Sequence, residues 1–428
     1  MITRCLLVAK APLHDVVADL SRGLSALGWS VEPHVWLPPA APRMPGWRRV
    51  EAALSHPNRA IRTAARATRR VHREIAGALA ASDWCVDLEP RLRAGGHDAV
   101  LVFLDGLPIG AARLVARVRP GAVFVSLLAL TQERAQRRLL PLLRLAARLR
   151  LAASRGPAAR VHRDVLRPVA PDDLPVTIYP SQGWHDEARA AGVTARESRV
   201  ITLGVPVPAP MPVRSRTLSS PVRLLWVGRL SPEKGLHLFL EAMPAVSARH
   251  PVRLTVIAAP GPDGYARRIA GTIASRNLQS IVEVRPPVPR DEMIAAFARH
   301  DLLLFHSIFG EPVAQVMLHA AASGLPVVGP GSNRPESLLC EGRTAWCYAD
   351  ASAGTVAAAL LRAIEGHDDE RQRRSRALYE EVRSGHDLSR TVDQFDAALR
   401  AAVHEPRARR VTHGRPSHPD SWRRLVRG

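Results

Sequence analysis

The sequence predicts an α/β protein of two parallel-sheet domains, and three observations carry that prediction. Short apolar runs alternate along the chain with segments of helical periodicity, the pattern of parallel strands joined by crossover helices. The alternation is interrupted once, by the proline-rich stretch VPVPAPMPVRSRTLSSP (Val205 to Pro221), and then restarts. Several apolar runs end in glycine-containing loops, as strands of an open parallel sheet do where ligands bind. With 428 residues, 46% of them hydrophobic, the chain holds enough apolar material for full cores.

In chain order, CLLVA (Cys5 to Ala9) reads as a first buried strand, and the helix from Val16 to Leu27 stops at Gly28. DAVLVFL (Asp98 to Leu104) and AVFVSLL (Ala122 to Leu128) are further strands. Arg43 to Ala81 is arginine-rich, with Ile61, Ala65, Val71, Ile75 and Leu79 at helical spacing, and a second basic helix covers Glu133 to Leu151. After the proline-rich stretch come VRLLWV, RLTVIA, IVEV, DLLLF, PVVG and AWCYA, each leading into a turn or helix. The expected division is therefore a first Rossmann-like domain over 1–210, a stiff linker over 211–221 and a second Rossmann-like domain over 222–385. A helix over 386–403 is expected to pack back on the first domain, and 404–428 to form a basic, mobile tail.

The formal net charge is +21. That excess suits nucleic acid, an anionic membrane face or phosphorylated substrates, and an arginine-biased proteome accounts for it equally well. Neither basic helix interleaves aromatic residues with its charges, so no nucleic-acid partner is expected. No apolar run approaches the ~20 residues of a membrane-spanning helix. The N-terminus lacks a small-residue cleavage site, and Cys5, Cys85, Cys340 and Cys347 fit neither a disulfide framework nor a zinc pattern. The expected location is cytoplasmic.

Lysine occurs at two positions only, Lys10 and Lys234, among 60 basic residues. Lys234 lies in VGRLSPEKGL (Val227 to Leu236), where a strand runs out at Gly228 and a helix begins after Gly235. A glycine at the carboxyl end of a parallel strand, before a helix N-terminus, is where anions bind in open sheets. Gly228 allows close approach of backbone and ligand, Arg229 offers a planar fork of donors, and Lys234 a compact charge. Two such cations can grip a diphosphate from two sides; the plain alternative is a capped helix with solvated charges. A second constellation spans Phe305 to Asp350, where a loop carrying Glu311 and another before Glu336 follow strands in the same way.

Taken together, these segments resemble the nucleotide-sugar domain of the retaining family-four glycosyltransferases (glycosyl transferases group 1). The resemblance rests on the "VGRL…KG" loop, on Glu311 opening an "E-x7-E" stretch before "A-x-G-x-P-V-V", and on Pro335, Glu336, Gly342 and Thr344. It covers most of Val222 to Asp350. LSALGWSVEPHVW and YPSQGWHDEARAAGVTARESRVITLGVPV are similar, more weakly, to first-domain segments of that family.

The resemblance implies the GT-B fold, two Rossmann-like domains facing each other across a cleft. It also implies transfer of a sugar from a nucleoside-diphosphate sugar to an acceptor with retention of configuration. Arg229, Lys234 and Glu311 would be the catalytic residues, with Gly228, His319, Ser332, Asn333 and Glu336 binding the donor. His14 and Asp105 are acceptor-side candidates, against plain readings as a loop histidine and a turn aspartate; His306 is read as an ordinary loop residue. Trp226 and Phe239 are expected in the core. No Asp-x-Asp is present to hold a metal against phosphates, so no metal and no cofactor are expected. The acceptor, a glycan, a lipid or a small molecule, is not legible. The arginine-rich helices suit peripheral contact with an anionic membrane at its inner face. Departures occur where the second Glu of "E-x7-E" is His319, where a glycine pair reads Ser332 and Asn333, where the first glycine-rich loop reads Lys10, Ala11, Pro12, and where a family histidine falls at Leu128. They motivate the rival reading of a catalytically silent GT-B binding subunit; a basic nucleic-acid-binding protein ranks last.

Overall fold

The computed structural model describes residues 3–10, 14–36, 58, 60–61, 64, 84–103, 109–119, 121–125, 176–190, 195, 197–215, 217–261, 263–307, 314–331 and 337–404. Apart from four positions of the first, the two predicted basic helices lie outside these residues, as does the tail after His404.

The first sheet contains β1 (Thr3–Lys10), β2 (Trp29–Trp36), β3 (Ala99–Phe103), β4 (Val123–Val125), β5 (Val176–Tyr179) and β6 (Glu197–Val200), in the order β2-β1-β3-β4-β5-β6. Every neighbouring pair is parallel. The inner strands of a parallel sheet are covered on both faces, and this is why β1, β3 and β4 read as apolar runs, whereas the edge strand β6 (ESRV) is largely exposed. Alternate residues of β1 divide between two cores. Cys5, Leu7 and Ala9 join the helices His14–Ala26 and Leu388–His404; Leu6 and Val8 join helical residues 84–93 and the helix Ile109–Val118.

The second sheet holds β7 (Val222–Arg229), β8 (Val252–Ala259), β9 (Val282–Arg285), β10 (Leu302–Leu304), β11 (Val327–Pro330) and β12 (Trp346–Tyr348). Its order is β12-β11-β10-β7-β8-β9, again all parallel. Leu224 and Trp226 point to the core under the helices Leu236–Ser247, Asp263–Ser275 and Ala353–Glu365. Leu225 and Val227 point to the other, under Arg290–Arg299, Gln315–Ala322 and Asp368–His386. Trp226 and Phe239 are both fully buried.

The elements are longer or shorter than their apolar runs by a residue or two, because strands and helices continue into polar residues where the backbone pairing persists. Among the described residues the helix that follows the Glu311 loop begins at Gln315.

The proline-rich stretch is not a free spacer. Val205 is buried, its N–H donates to the His386 carbonyl at 2.9 Å, and its own carbonyl accepts from Leu388 at 2.9 Å. Further on, Arg214 donates to the backbone carbonyl of Phe297 at 3.0 Å and to that of His300, and the Tyr379 hydroxyl donates to Pro208 O. Composition shows the stiffness of such a segment but not the surface that receives it. The chain thus crosses between the two sheets twice, at Val205 and at Asp387, and the crossings are hydrogen-bonded to each other. A further link is the ion pair between Arg290 and the buried Asp19 of the first domain.

Burial is the first cause holding the imidazoles of His34, His237, His300, His306 and His386 below the ordinary histidine pKa. The unfolded chain therefore takes up protons first as the pH falls, so this stability is complete above about pH 6.5 and is lost on going below it. Denaturant midpoints are expected to drop between pH 7 and pH 5.5. A midpoint flat over that interval contradicts the assignment.

Candidate functional site

The strand order locates the site. Counting from β7, the second sheet runs 3-2-1-4-5-6, and the order reverses between β7 and β10. Ligands of open parallel sheets bind outside the carboxyl ends of the strands at such a switch point. The two loops that leave β7 and β10 are those of Gly228–Gly235 and Phe305–Ser307. In the first sheet the reversal falls between β1 and β3, which end at Lys10 and Phe103.

The loop after β7 is built around Trp226. Its indole folds across Gly228, where an added Cβ would come to 3.0 Å from the ring and press on it, so glycine fits there without displacing the indole. The indole Nε1 donates to the Lys234 carbonyl at 3.2 Å. The Lys234 N–H donates to Ser231 O at 3.0 Å, closing a single 3₁₀ turn, Pro232–Lys234. Lys234 is therefore fixed through its backbone on both sides, and the origin of its side chain is set. Gly235 ends the turn at φ +65° and caps the helix Leu236–Ser247, a left-handed conformation that glycine adopts without strain. In the first turn of that helix the His237 N–H donates to the Tyr265 hydroxyl at 3.2 Å and the Leu238 N–H to Gly235 O at 3.0 Å; helix N-termini favour anions.

Arg229 is exposed, and its Nη2 donates to the Glu233 carboxylate at 2.9 Å. Burial alone would raise the Glu233 pKa, but hydrogen bonds from Ser231, its own backbone and Arg229 carry it below the usual range. An exposed pair of this kind is worth about 0–1 kcal/mol, so an anionic ligand of higher charge can compete for the guanidinium.

Of the predicted site residues, the structure brings Gly228, Arg229 and Lys234 together on one loop. In the helix Gln315–Ala322 the His319 ring stacks on Phe297, at 6.4 Å between centroids and 15° between planes. Glu311, Ser332, Asn333, Glu336 and Asp105 lie outside the described residues, as does the side chain of His14. Among the described residues no group of three His, Cys, Asp or Glu side chains could hold a metal, and no helix is long and apolar enough to cross a membrane.

Sequence reasoning missed His306. Far from being an ordinary loop residue, it is 7% exposed, and its Nδ1 lies 2.7 Å from the Tyr348 hydroxyl. A second imidazole–phenol pair, His237 Nδ1 and Tyr265 Oη at 2.9 Å, lies at the start of the helix Leu236–Ser247. Nothing in one sequence links residues some 30 to 40 positions apart into such pairs.

Residues 221–366 match the description "Glycosyl transferases group 1". A putative colanic acid biosynthesis glycosyltransferase, WcaL, of Salmonella typhimurium is 26% identical over 182 residues, 41% of this chain and 44% of that protein. Glycogen synthase of Mycobacterium tuberculosis is 29% identical over 211 residues, 47% of this chain and 49% of the relative. The chain thus spans about half the length of the curated relatives it matches. Over the whole fold, the crystal structure of Anabaena Alr3699/HepE in complex with UDP and glucose superposes with a TM-score of 0.61 at 14% identity, covering 93% of this chain and 100% of that one. Sucrose-phosphate synthase of Thermosynechococcus elongatus gives 0.61 at 15% identity, with 93% and 98% covered. Two six-stranded parallel sheets, a cationic loop at the switch point of the second, and these likenesses converge: the chain has the GT-B fold, and its residues 221–366 are similar to the glycosyl transferases group 1 family.

Proposed function

We propose that this protein transfers a sugar from a nucleoside-diphosphate sugar to an acceptor, with retention of configuration. The observation that carries the reading is the position of Arg229 and Lys234, on one loop at the switch point of a Rossmann-ordered sheet. In the reaction the bond from the anomeric carbon to the diphosphate oxygen breaks and a bond to the acceptor oxygen forms. The acceptor hydroxyl proton passes to the leaving phosphate. Negative charge grows on the diphosphate, and preorganised cations stabilise it there more than in the ground state. Glu311 orients sugar hydroxyls, while Ser332, Asn333 and Glu336 line the donor from the neighbouring loop; no metal is required. A panel of radiolabelled nucleotide sugars, scored for donor hydrolysis with chelator present, tests this. Absence of turnover with every donor, while a nucleoside diphosphate still binds, instead supports the silent binding subunit.

That second reading draws on His319. A family carboxylate is replaced there by an imidazole stacked on Phe297. His319→Glu is expected to tighten nucleoside-diphosphate binding several-fold if a clasp on the ribose hydroxyls was lost, and calorimetry showing no gain for any nucleotide counts against it.

The arginine-rich segments at 43–81 and 133–151 belong to the acceptor half, and we propose that they meet an anionic membrane surface. Each arginine there contributes about 1 kcal/mol. Flotation with anionic vesicles at low salt, lost at high salt, is the expected result; equal recovery at both salts overturns it.

A further inference from the structure

The turn that carries Lys234 also packs against an imidazole, that of His306. A Cβ built on Gly235 would lie 2.4 Å from His306 Cδ2, 2.6 Å from Cγ and 2.8 Å from Cβ, so the turn is in direct contact with the ring. The contact joins the two loops that flank the switch point, since β7 and β10 are adjacent strands. We propose that His306 is a positioning residue, a ring tethered by Tyr348 on which the Lys234–Gly235 turn sits and which thereby fixes where the Lys234 ammonium stands. The inference rests on the donor-binding reading of that loop.

Hydrogen-bond accounting gives the state of the ring. The Tyr348 hydroxyl has one proton, and the Phe305 carbonyl, 3.2 Å away, can only accept it. The same hydroxyl must then accept from His306 Nδ1 at 2.7 Å, which places the imidazole proton on Nδ1. Nε2 is left as a bare lone pair, buried and without a hydrogen-bond partner. A proton added at Nε2 would create a buried cation with an unpaired donor. Among the described residues, the charged and titratable groups near it are Tyr348 from β12, Lys234 on the turn itself and His237 at the start of the next helix. His237 adds to burial in opposing protonation of His306. The ring therefore supports the turn as a neutral body, and protonation displaces the turn from it.

The test compares wild type, His306→Asn and His306→Ala in the full chain, with UDP as the probe. Asparagine retains an N–H close to where Nδ1 stands, able to donate to Tyr348, and does not titrate. Its UDP affinity at pH 8 is expected to lie within about threefold of wild type, with alanine about tenfold weaker. Between pH 8 and pH 5.5 the wild-type affinity should fall relative to His306→Asn, by up to about tenfold per pH unit, the limit for one linked proton. Loss of packing alone would move neither the rescue by asparagine nor the pH difference between the two proteins. A wild-type affinity that instead rises at low pH relative to His306→Asn overturns the proposal and makes the imidazolium a third phosphate-binding cation. Nitrogen-15 NMR, with the His306 signals assigned by their loss in His306→Asn, supplies a readout that needs no ligand. The neutral Nδ1–H tautomer at pH 7 is expected, and an Nε2–H tautomer or an imidazolium overturns the proposal. If wild type binds no nucleoside diphosphate while the tautomer is as stated, the donor-binding reading fails and the state of the ring stands.

Discussion

Replacing Lys234 by alanine is expected to lower turnover by about 10²–10³-fold, some 3–4 kcal/mol of transition-state stabilisation, with little change in thermal stability. The separation of the two effects follows from the geometry. The backbone of Lys234 is held by Trp226 and Ser231, and neither bond involves its side chain. Alanine therefore leaves both backbone bonds in place and removes the charge. If the charge acts where a diphosphate leaves, as we propose, the loss should appear in kcat more than in KM. Single-turnover measurements at saturating donor decide this. Unchanged kinetics would remove Lys234 from the reaction; a Tm lowered by many degrees would show that the side chain is part of the structure.

A second large effect is expected far from the site. Phe395 is fully buried against the first sheet, its ring 6.4 Å from that of Phe103. Its helix lies close to His14–Ala26, since a Cβ added at Gly23 would come within 2.3 Å of Val392. It is also tied by Trp29 Nε1 donating to Asp396 at 2.6 Å, with the Arg400 guanidinium 5.4 Å from the Trp29 ring centroid. Phe395→Ala should cost the first domain about 3–5 kcal/mol, a large part of the 5–15 kcal/mol typical of a domain. Two domains need not unfold together. Calorimetry should therefore show one transition lowered and the other nearly unmoved. A cost below 1 kcal/mol would mean that the helix contributes little to that core.

How much of this was legible in the sequence depends on the distance over which each feature is encoded. The strands were legible because residues buried on both faces leave continuous apolar runs, as CLLVA and VRLLWV do. The cationic loop was legible because Gly228, Arg229, Lys234 and Gly235 lie within eight positions. His306 was not, because its burial depends on contact with Gly235, more than 70 positions earlier, and on Tyr348, 42 positions later. The stack of His319 on Phe297, 22 positions earlier, was likewise not legible, because spacing within a motif says nothing of what packs on its side chains. The proline-rich stretch was read as a spacer from composition, and its partners, Tyr379 and His386, lie some 170 to 180 positions away.

The helix Leu388–His404 has a consequence for the order in which the protein is made. It completes a core whose other members all precede residue 204, so that core stays open while the whole second domain is synthesised. At ribosomal rates of about 5–20 residues per second, the wait is on the order of 10–40 s. During that time Leu7, Leu20, Leu101, Phe103 and Ile178 lack their cover, whereas the second domain has its own residues to hand as it emerges. The nascent first half is thus the part that needs protection from self-association. The helix Leu388–His404 closes that core only after the second domain has been made.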